Sequence, residues 1–137
     1  LYSIESEDLD LENTFHLTSQ VLSVYPLKKG QSVAYSHAYA AKEDGEIIAA
    51  IPIGFGDGFS KTNIGRDVFI HNVRYPIVAV TMDISHILVD STVHEGDTVY
   101  LIRDNHHLDE IAAHIKGATE EAICQLNKRV HREYIEE

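Results

Sequence analysis

The sequence predicts a mainly β fold, a small barrel-like domain that ends in two short C-terminal helices. Short apolar runs recur between turn residues, and the apolar spacing becomes helical after Asp104. The 137 residues, 44% of them hydrophobic, suffice for one domain with a buried core. Several short strands followed by helices are most simply arranged as a closed or partly closed barrel.

The first third of the chain supplies three predicted strands. Residues 1–16 are rich in acidic side chains and lack an apolar period, which indicates a leader or the remnant of an interdomain linker. Leu17–Val24 is typical of a strand, and Pro26 places the strand near a sheet edge or marks its end. Ser32–Ala41 and Glu46–Ile53 are expected to form a hairpin, the second run being apolar throughout, as in a strand covered on both faces.

The remaining strands are predicted as two further pairs. Asp67–Ile70 and Arg74–Thr81 are expected to pair around His71-Asn72-Val73. Ser85–Val89 and Thr98–Arg103 are expected to form a third pair. Residues 17–137 are therefore interpreted as one β-domain that includes the helices.

Two helices complete the predicted fold. The first covers Leu108–Ile115, with Gly117 as its C-cap and with Asp109 and Glu110 in its first turn, where the helix dipole favours acidic residues. The second begins after Thr119 as N-cap.

Composition excludes several classes of function. Acidic residues outnumber basic ones 22 to 11, and a formal charge of -11 disfavours nucleic acid as a partner. No apolar run approaches the roughly 20 residues of a membrane span and no signal sequence is evident, so a cytoplasmic location is expected. The single cysteine, Cys124, fits a helical core position. The chain begins at Leu1 rather than methionine, as a fragment of a longer chain would.

The histidines and glycines do not form a recognised metal or phosphate motif. The nine histidines lack ligand spacing, so no metal site is predicted. Gly54–Gly58 lacks the lysine and hydroxyl of a phosphate loop, and it is equally well explained as a turn that Asp57 closes by hydrogen bonds. The longer loop Gly54–Arg66 is nonetheless where binding residues are expected on a β scaffold.

Tyrosines are the remaining candidates for acid–base chemistry. A phenol titrates near pH ~10 and needs a neighbouring cation to act as a base near neutrality. No basic residue lies close to Tyr35 in the sequence, so the residues alone indicate a half-buried strand aromatic, as for Tyr39 and Tyr75.

Four motifs, in order along the chain, are similar to those of one enzyme family. From about Leu17 onward the chain resembles the carboxy-terminal domain of alanine racemases. The motifs are Gly30 with Val33-Ala34-Tyr35 and Tyr39, Gly54-Phe55-Gly56-Asp57-Gly58, Thr81-Met82-Asp83, and Arg129-Val130-His131-Arg132-Glu133-Tyr134.

The resemblance implies a role for five residues. Tyr35 would be one of two acid/base groups that flank the substrate Cα, acting at the pyridoxal phosphate of the partner subunit. Met82, Asp83 and Phe55 would contact the substrate or shape its entrance, and Lys128 would lie near the cofactor phosphate. Phe55 stands where the family has tyrosine, and the segment before Met82 is one residue short and lacks an arginine. The entrance is therefore expected to be remodelled.

The resemblance also implies what the chain needs from elsewhere. The Schiff-base lysine would belong to an amino-terminal (β/α)8 domain, and a homodimer would bring Tyr35 to the neighbouring cofactor. The isolated domain is then expected to be inactive in L-/D-alanine interconversion, and alanine and serine remain alternative substrates. A non-catalytic β-barrel interaction or ligand-binding module is the alternative from another class. The related domain of barrel-type decarboxylases is disfavoured, because Cys124 provides no Cys-Asp motif.

Overall fold

The computed structural model describes residues 16–34, 38–115 and 130–131. Within these residues the chain forms nine strands and one α-helix, and two short 3-10 turns, Phe55–Asp57 and Lys61–Asn63, lie between the fifth and sixth strands. The elements are β1 (Leu17–Gln20), β2 (Ser23–Leu27), β3 (Ser32–Val33), β4 (Tyr39–Ala40), β5 (Glu46–Ile51), β6 (Asp67–Ile70), β7 (Val73–Val80), β8 (Ser85–Val89), β9 (Thr98–Ile102) and α1 (Asn105–Ile115).

Seven strands form one antiparallel sheet that curves round on itself. Their order is β1-β9-β6-β7-β8-β5-β2, and β3 pairs with β4 separately. The two edge strands follow each other in the chain, joined by Val21 and Leu22. The Val21 N–H donates to Asp97 O (3.0 Å) beside β9, and the Leu22 N–H donates to Ala50 O (2.8 Å) in β5. This corner holds the two edges together, so the predicted mainly β, partly closed barrel is confirmed.

The strands bury apolar side chains on two faces of the sheet. Val68, Ile87 and Leu101 belong to the larger cluster inside the barrel, and each is fully buried. Ile48 and Leu27 belong to a second cluster on the other face. Strand β5 contributes to both clusters, which confirms the prediction of a strand covered on both sides. Each such side chain contributes roughly 1.5–3 kcal/mol through removal from water.

Two local predictions are confirmed. Strands β6 and β7 form the expected hairpin, and its turn residues His71 and Asn72 have positive φ values of 54° and 61°. Two residues with positive φ fit the right-handed twist of the flanking strands. Pro26 lies in β2, an edge strand, where its missing N–H costs no ladder bond on the open side.

The first predicted hairpin is wrong in its pairing. Strand β5 pairs with β2 and β8, and β3 pairs with β4. Ala34 has a φ of 63°, which ends the extended run directly after Val33. The Gly45 N–H donates to Leu27 O (2.9 Å), which places β5 beside β2. The predicted strand Leu17–Val24 is likewise two strands, because the chain bends at Val21.

The third predicted pair is also wrong. Strand β8 pairs with β5 and β7, and β9 pairs with β1 and β6. The connection 90–97 crosses the barrel instead of making a hairpin. The Gly96 N–H donates to Val21 O (2.8 Å), which sets β9 beside β1.

The helix begins earlier than its apolar spacing suggests. The Asp104 carboxylate accepts a hydrogen bond from the His107 N–H (2.8 Å), an N-cap interaction that starts the helix at Asn105. Asp109 and Glu110 therefore lie beyond the first turn, and that prediction is wrong. Gly117 and the predicted second helix lie outside the described residues. No described helix is long and apolar enough to cross a membrane.

Candidate functional site

Two loops meet at one end of the barrel. The first follows β5 and the second joins β7 to β8. The Phe55 N–H donates to Thr81 O (2.9 Å), and the Gly56 N–H donates to Met82 O (2.8 Å). The Ser85 hydroxyl donates to Ile53 O (2.6 Å) beneath them. These bonds fix the two predicted substrate-side motifs against each other, and we call this region the loop junction.

Gly54 makes the close approach of the two loops possible. Its backbone is extended, so its conformation is open to any residue. A Cβ at this position would lie 2.1 Å from Thr81 O and 2.4 Å from Met82 O. Only glycine fits between these carbonyl groups without moving one of the loops.

The glycine loop directs its amides inward. The buried Asp57 carboxylate accepts a hydrogen bond from the Gly54 N–H (3.0 Å), as expected for a loop closed by this side chain. The N–H groups of Asp57 and Phe59 donate to Gly54 O, and the Gly58 N–H donates to Phe55 O. Phosphate cradles need several amides that face a ligand. This loop has none left over between Gly54 and Phe59, so it is not a phosphate site.

The turn that carries Met82 is rigid. The Thr81 N–H and hydroxyl both donate to Ile84 O (2.8 Å each), and the Ile84 N–H donates back to the Thr81 hydroxyl (3.3 Å). The Met82 side chain is 51% exposed. Within the described residues the Met82 N–H has no acceptor.

Comparison with known proteins identifies the family of this chain. The family described as "Alanine racemase, C-terminal domain" matches residues 14–134. The chain belongs to the alanine racemase C-terminal domain family. Alanine racemase 2 of Staphylococcus aureus is 30% identical over 127 residues, which cover 92% of this chain and 35% of the relative. Alanine racemase of Halalkalibacterium halodurans is 33% identical over 131 residues, 90% of this chain and 34% of the relative.

Solved structures have the same fold. Alanine racemase from Bacillus anthracis with bound L-Ala-P matches with a TM-score of 0.77 and 30% identity, over 84% of this chain and 31% of that one. Alanine racemase from Bartonella henselae with covalently bound pyridoxal phosphate matches with a TM-score of 0.79 and 25% identity, over 88% of this chain and 34% of that one. The chain thus spans about a third of the length of these alanine racemases.

Phe55, which the resemblance predicts to stand where the family has tyrosine, lies exposed at the loop junction. Its ring is 38% exposed, and the Lys61 ammonium lies 5.4 Å from the ring centroid. Such a cation–π contact contributes about 0.5–1 kcal/mol at an exposed site. The sequence analysis did not single out Lys61 as a site residue. Lys61 lies three residues after Gly58 in the same loop as Phe55, and this short separation could have indicated that the two side chains make contact.

Tyr35 and Lys128, the predicted catalytic and cofactor residues, lie outside the described residues. Two short paired strands flank the segment that contains Tyr35. Val33 of β3 is buried, and it pairs with Tyr39 of β4. Asp83, the third predicted substrate residue, lies exposed on the turn beside Met82.

The described tyrosines Tyr39 and Tyr75 are poor candidates for a base. The Tyr39 hydroxyl donates to the Glu46 carboxylate at 2.5 Å, and burial together with this bond raises the pKa of Tyr39 to about 12. The Tyr75 hydroxyl donates to the Asp90 carboxylate (3.0 Å), and burial is the main cause that raises the pKa of Tyr75. Both phenols stay protonated near neutrality.

Several histidines have structural partners. The His107 Nδ1 accepts from the Arg103 N–H (3.0 Å) and its Nε2 lies 3.0 Å from Asp67 O, so Nε2 carries the proton. The His114 Nε2 lies 2.9 Å from Thr62 O. Among residues 16–34, 38–115 and 130–131, no three His, Cys, Asp or Glu side chains come together as a metal site would require.

Proposed function

We propose that this chain is the C-terminal domain of a pyridoxal-phosphate-dependent alanine racemase. In this proposal it supplies the acid/base Tyr35 and part of the substrate entrance to the active site of the partner subunit. The observation that carries the proposal is the loop junction, which holds the two family motifs together and in which the Met82 N–H has no acceptor among the described residues. Because the chain covers only about a third of its relatives, the activity belongs to a longer protein.

Met82 is proposed to bind the substrate carboxylate through its backbone N–H. Three observations support this role. The amide has no acceptor among the described residues, the turn from Thr81 to Ile84 fixes its direction, and the glycine loop holds Met82 O from the other side. A donor fixed in advance binds an anion with little ordering cost. Asp83 and Phe55 would line the same entrance.

Tyr35 is proposed to hold and return the proton on one face of the substrate Cα. Its ordinary pKa near ~10 has to be lowered by cations, and the sequence around it offers none. Those cations would come from the (β/α)8 domain when the two parts meet. A second base from that domain would serve the opposite face, which allows inversion.

The cofactor would be held mostly outside this chain. The amides of the glycine loop are all used internally, so they leave no phosphate cradle there. Lys128 remains the proposed contact from this chain to the cofactor phosphate. Pyridoxal phosphate supplies an electron sink that stabilises negative charge on Cα. The chain's own part is to position the substrate and to move one proton.

The chain is also proposed to act across a subunit boundary. A two-fold symmetric dimer brings an identical surface of each subunit to the other, so Tyr35 of each subunit could serve its neighbour. The exposed Phe55 and Met82 at the loop junction suit such a contact, because exposed apolar groups that lie together mark interaction surfaces.

The proposal is tested with the isolated chain and with the parent enzyme. The 137-residue chain with added pyridoxal phosphate should not racemise alanine, and clear turnover would show that the Schiff-base lysine lies in this chain. In the parent enzyme, Tyr35→Phe should suppress proton abstraction on one face far more than on the other, as measured by deuterium exchange from each alanine enantiomer. Tyr39→Phe is the matched control, because Tyr39 binds Glu46 instead. Equal and small losses with both variants would refute the role of Tyr35.

A non-catalytic binding module is the second candidate. Phe55 lacks the family's hydroxyl and the segment before Met82 lacks its arginine, so the entrance differs from that of the family. The coding sequence upstream of Leu1 separates the two functions. A (β/α)8 pattern with an early lysine on a strand supports the racemase, and an immediate start codon supports the module.

A further inference from the structure

A concave region lies beside α1. It is a cleft of about 160 Å³ between α1 and the residues at the start of β6 and β7. Arg66, Asp67 and Arg74 form one wall, and Glu110 and Ile111 of α1 form the other. We call it the helix cleft. None of the residues assigned above to racemase chemistry lines it.

Arg66 brings a buried positive charge to the helix cleft. The residue is only 6% exposed. Its Nε donates to Asn63 Oδ1 (2.7 Å), and its Nη1 donates to Asp67 O (3.0 Å) and Leu101 O (2.8 Å). Its Nη2 has no acceptor among the described residues, and no described carboxylate lies within 4 Å of the guanidinium. Burial lowers the pKa of Arg66 to about 9, and the negative charge of Asp67 offsets only part of this effect.

Asp67 places a partly exposed carboxylate on the same wall of the helix cleft. Its side chain is 38% exposed, and its nearest described cation is Arg74 Nη1 at 3.7 Å, beyond hydrogen-bond distance. Arg74 is already committed to Glu110 by two hydrogen bonds of 2.7 and 2.9 Å. Asp67 and Arg74 therefore form a long ion pair, which is weaker than the ion pair between Arg74 and Glu110.

The Arg66 guanidinium and the Asp67 carboxylate belong to consecutive residues, and no hydrogen bond joins the two side chains within the described part of the chain. Arg66 is held by three carbonyl-type acceptors, and the Asp67 carbonyl is fixed by Arg66 and His107. Both residues line the helix cleft, and the guanidinium is held by these oxygen acceptors and not by a hydrogen bond to the Asp67 carboxylate. The cleft therefore has a donor for an anionic group and an acceptor for a cationic group on consecutive residues.

We propose that the helix cleft binds a free α-amino acid as its zwitterion, the carboxylate at Arg66 Nη2 and the ammonium at the Asp67 carboxylate. The charges of the two arginines and the two acids in the cleft balance. A simple anion would meet Asp67 and Glu110, and a simple cation would meet Arg66, whereas a zwitterion matches both signs. The volume fits a glycine- or alanine-sized ligand, since a water molecule takes up about 30 Å³. Ile111 offers an apolar surface to a small side chain.

This inference does not depend on racemase activity, and it is tested with the chain alone. Amide and Arg Nε resonances of the 15N-labelled 137-residue chain are followed while glycine, acetate or methylammonium is added. Glycine should shift the signals of Gly65, Arg66 and Asp67 in a saturable way. Acetate and methylammonium should bind at least about tenfold more weakly, because each loses one charge-assisted hydrogen bond.

Two variants and one control locate the site. Asp67→Asn keeps the shape and the backbone carbonyl, so it should weaken glycine binding about tenfold and leave acetate binding no weaker. Arg66→Gln should abolish the binding of both glycine and acetate. If Arg66→Gln does not fold, the glycine affinity of Asp67→Asn tests the site instead. Arg103→Gln is the matched control, because Arg103 stacks on Phe69 at 3.7 Å and does not line the cleft.

Three results would overturn the proposal. Acetate that binds as tightly as glycine would make the cleft a simple anion site. An unchanged glycine affinity in Asp67→Asn would remove the ammonium contact. A titration of glycine to about 100 mM without saturable shifts around Arg66 would remove the site altogether.

Discussion

Gly54→Ala is the sharpest perturbation of the loop junction. The added Cβ would lie 2.1 Å from Thr81 O and 2.4 Å from Met82 O, whereas ordinary van der Waals contacts of a Cβ are 3.4–4 Å. One of the two loops must therefore move by more than 1 Å. Both neighbours are backbone carbonyl groups, so no flexible side chain can swing aside to make room.

The movement should break the bonds that join the loops. The bonds from Phe55 N–H to Thr81 O and from Gly56 N–H to Met82 O have lengths of 2.9 and 2.8 Å and cannot survive such a displacement. Each is worth about 1 kcal/mol net, and strain in the displaced turn adds to the loss. We expect Gly54→Ala to lower the free energy of unfolding by about 2–4 kcal/mol.

Urea unfolding measures the loss, and Gly96→Ala provides the control. Gly96 has a φ of 89°, but no atom lies within 4 Å of the place that a Cβ would take, so its alanine variant should cost only about 1 kcal/mol of backbone strain. Amide spectra should show displaced Met82 and Asp83 signals in Gly54→Ala and unchanged ones in Gly96→Ala. A Gly54→Ala variant no less stable than Gly96→Ala, with Met82 unshifted, would refute the close approach.

Three further predictions concern single side chains. Ser85→Ala should cost about 1–3 kcal/mol in urea unfolding, because it leaves the buried Ile53 O without its donor at 2.6 Å; a loss below about 0.5 kcal/mol would contradict this. The wild type should lose stability as the pH rises from 10 through about 12, because the folded state favours the neutral phenol of Tyr39. Tyr39→Phe should reduce that loss, which Tyr75 shares because its pKa is also raised, and should remove a late component of the absorbance titration at 295 nm. Removal of an early component would count against the bond to Glu46. His86 has a buried Nδ1 without a partner among the described residues, and burial lowers its pKa from 6.5. The free energy of unfolding should therefore fall as the pH drops from 6.5 to the lowered pKa, because the unfolded state binds the proton first. His86→Leu should remove this contribution without loss at pH 7.5, and identical pH profiles of the unfolding midpoint would exclude it.

Features with a local cause could be predicted from the sequence. The β6–β7 hairpin follows from a two-residue turn at His71 and Asn72 between two apolar runs. The burial of β5 on both faces follows from its unbroken apolar run. The edge position of β2 follows from Pro26, which has no N–H to donate.

The pairing of distant strands could not be predicted in the same way. Nearest-neighbour hairpins were expected at β3 to β5 and at β8 to β9, and both expectations fail because bonds between residues far apart in the chain decide the register. Gly45 bonds to Leu27, and Gly96 bonds to Val21. The spacing of apolar residues predicts neither bond, because a glycine between two apolar runs is also typical of a simple turn.

The candidate site was predictable as motifs but not as geometry. The family resemblance singled out Phe55, Met82 and Asp83 without indicating how they meet. The reason for glycine at position 54 is the close approach of the 81–82 backbone, which lies 27 residues later in the sequence and cannot be read from the loop itself. Lys61 was missed for a similar reason, because its contact with Phe55 requires the 3-10 turn between them.

The loop junction is rigid and exposes apolar side chains. Together these two properties suit a contact surface. The end of β5 lies beside the start of β8, where Ile51 pairs with Ser85, and the end of β7 reaches the same place, where Val80 pairs with Ser85. Three strand ends therefore fix the position of both loops before any ligand arrives, which lowers the ordering cost of binding. Phe55 and Met82 nevertheless remain exposed on this frame, although burial of each would gain roughly 1.5–3 kcal/mol. A rigid support for unburied apolar side chains is what a surface completed by another domain or subunit requires.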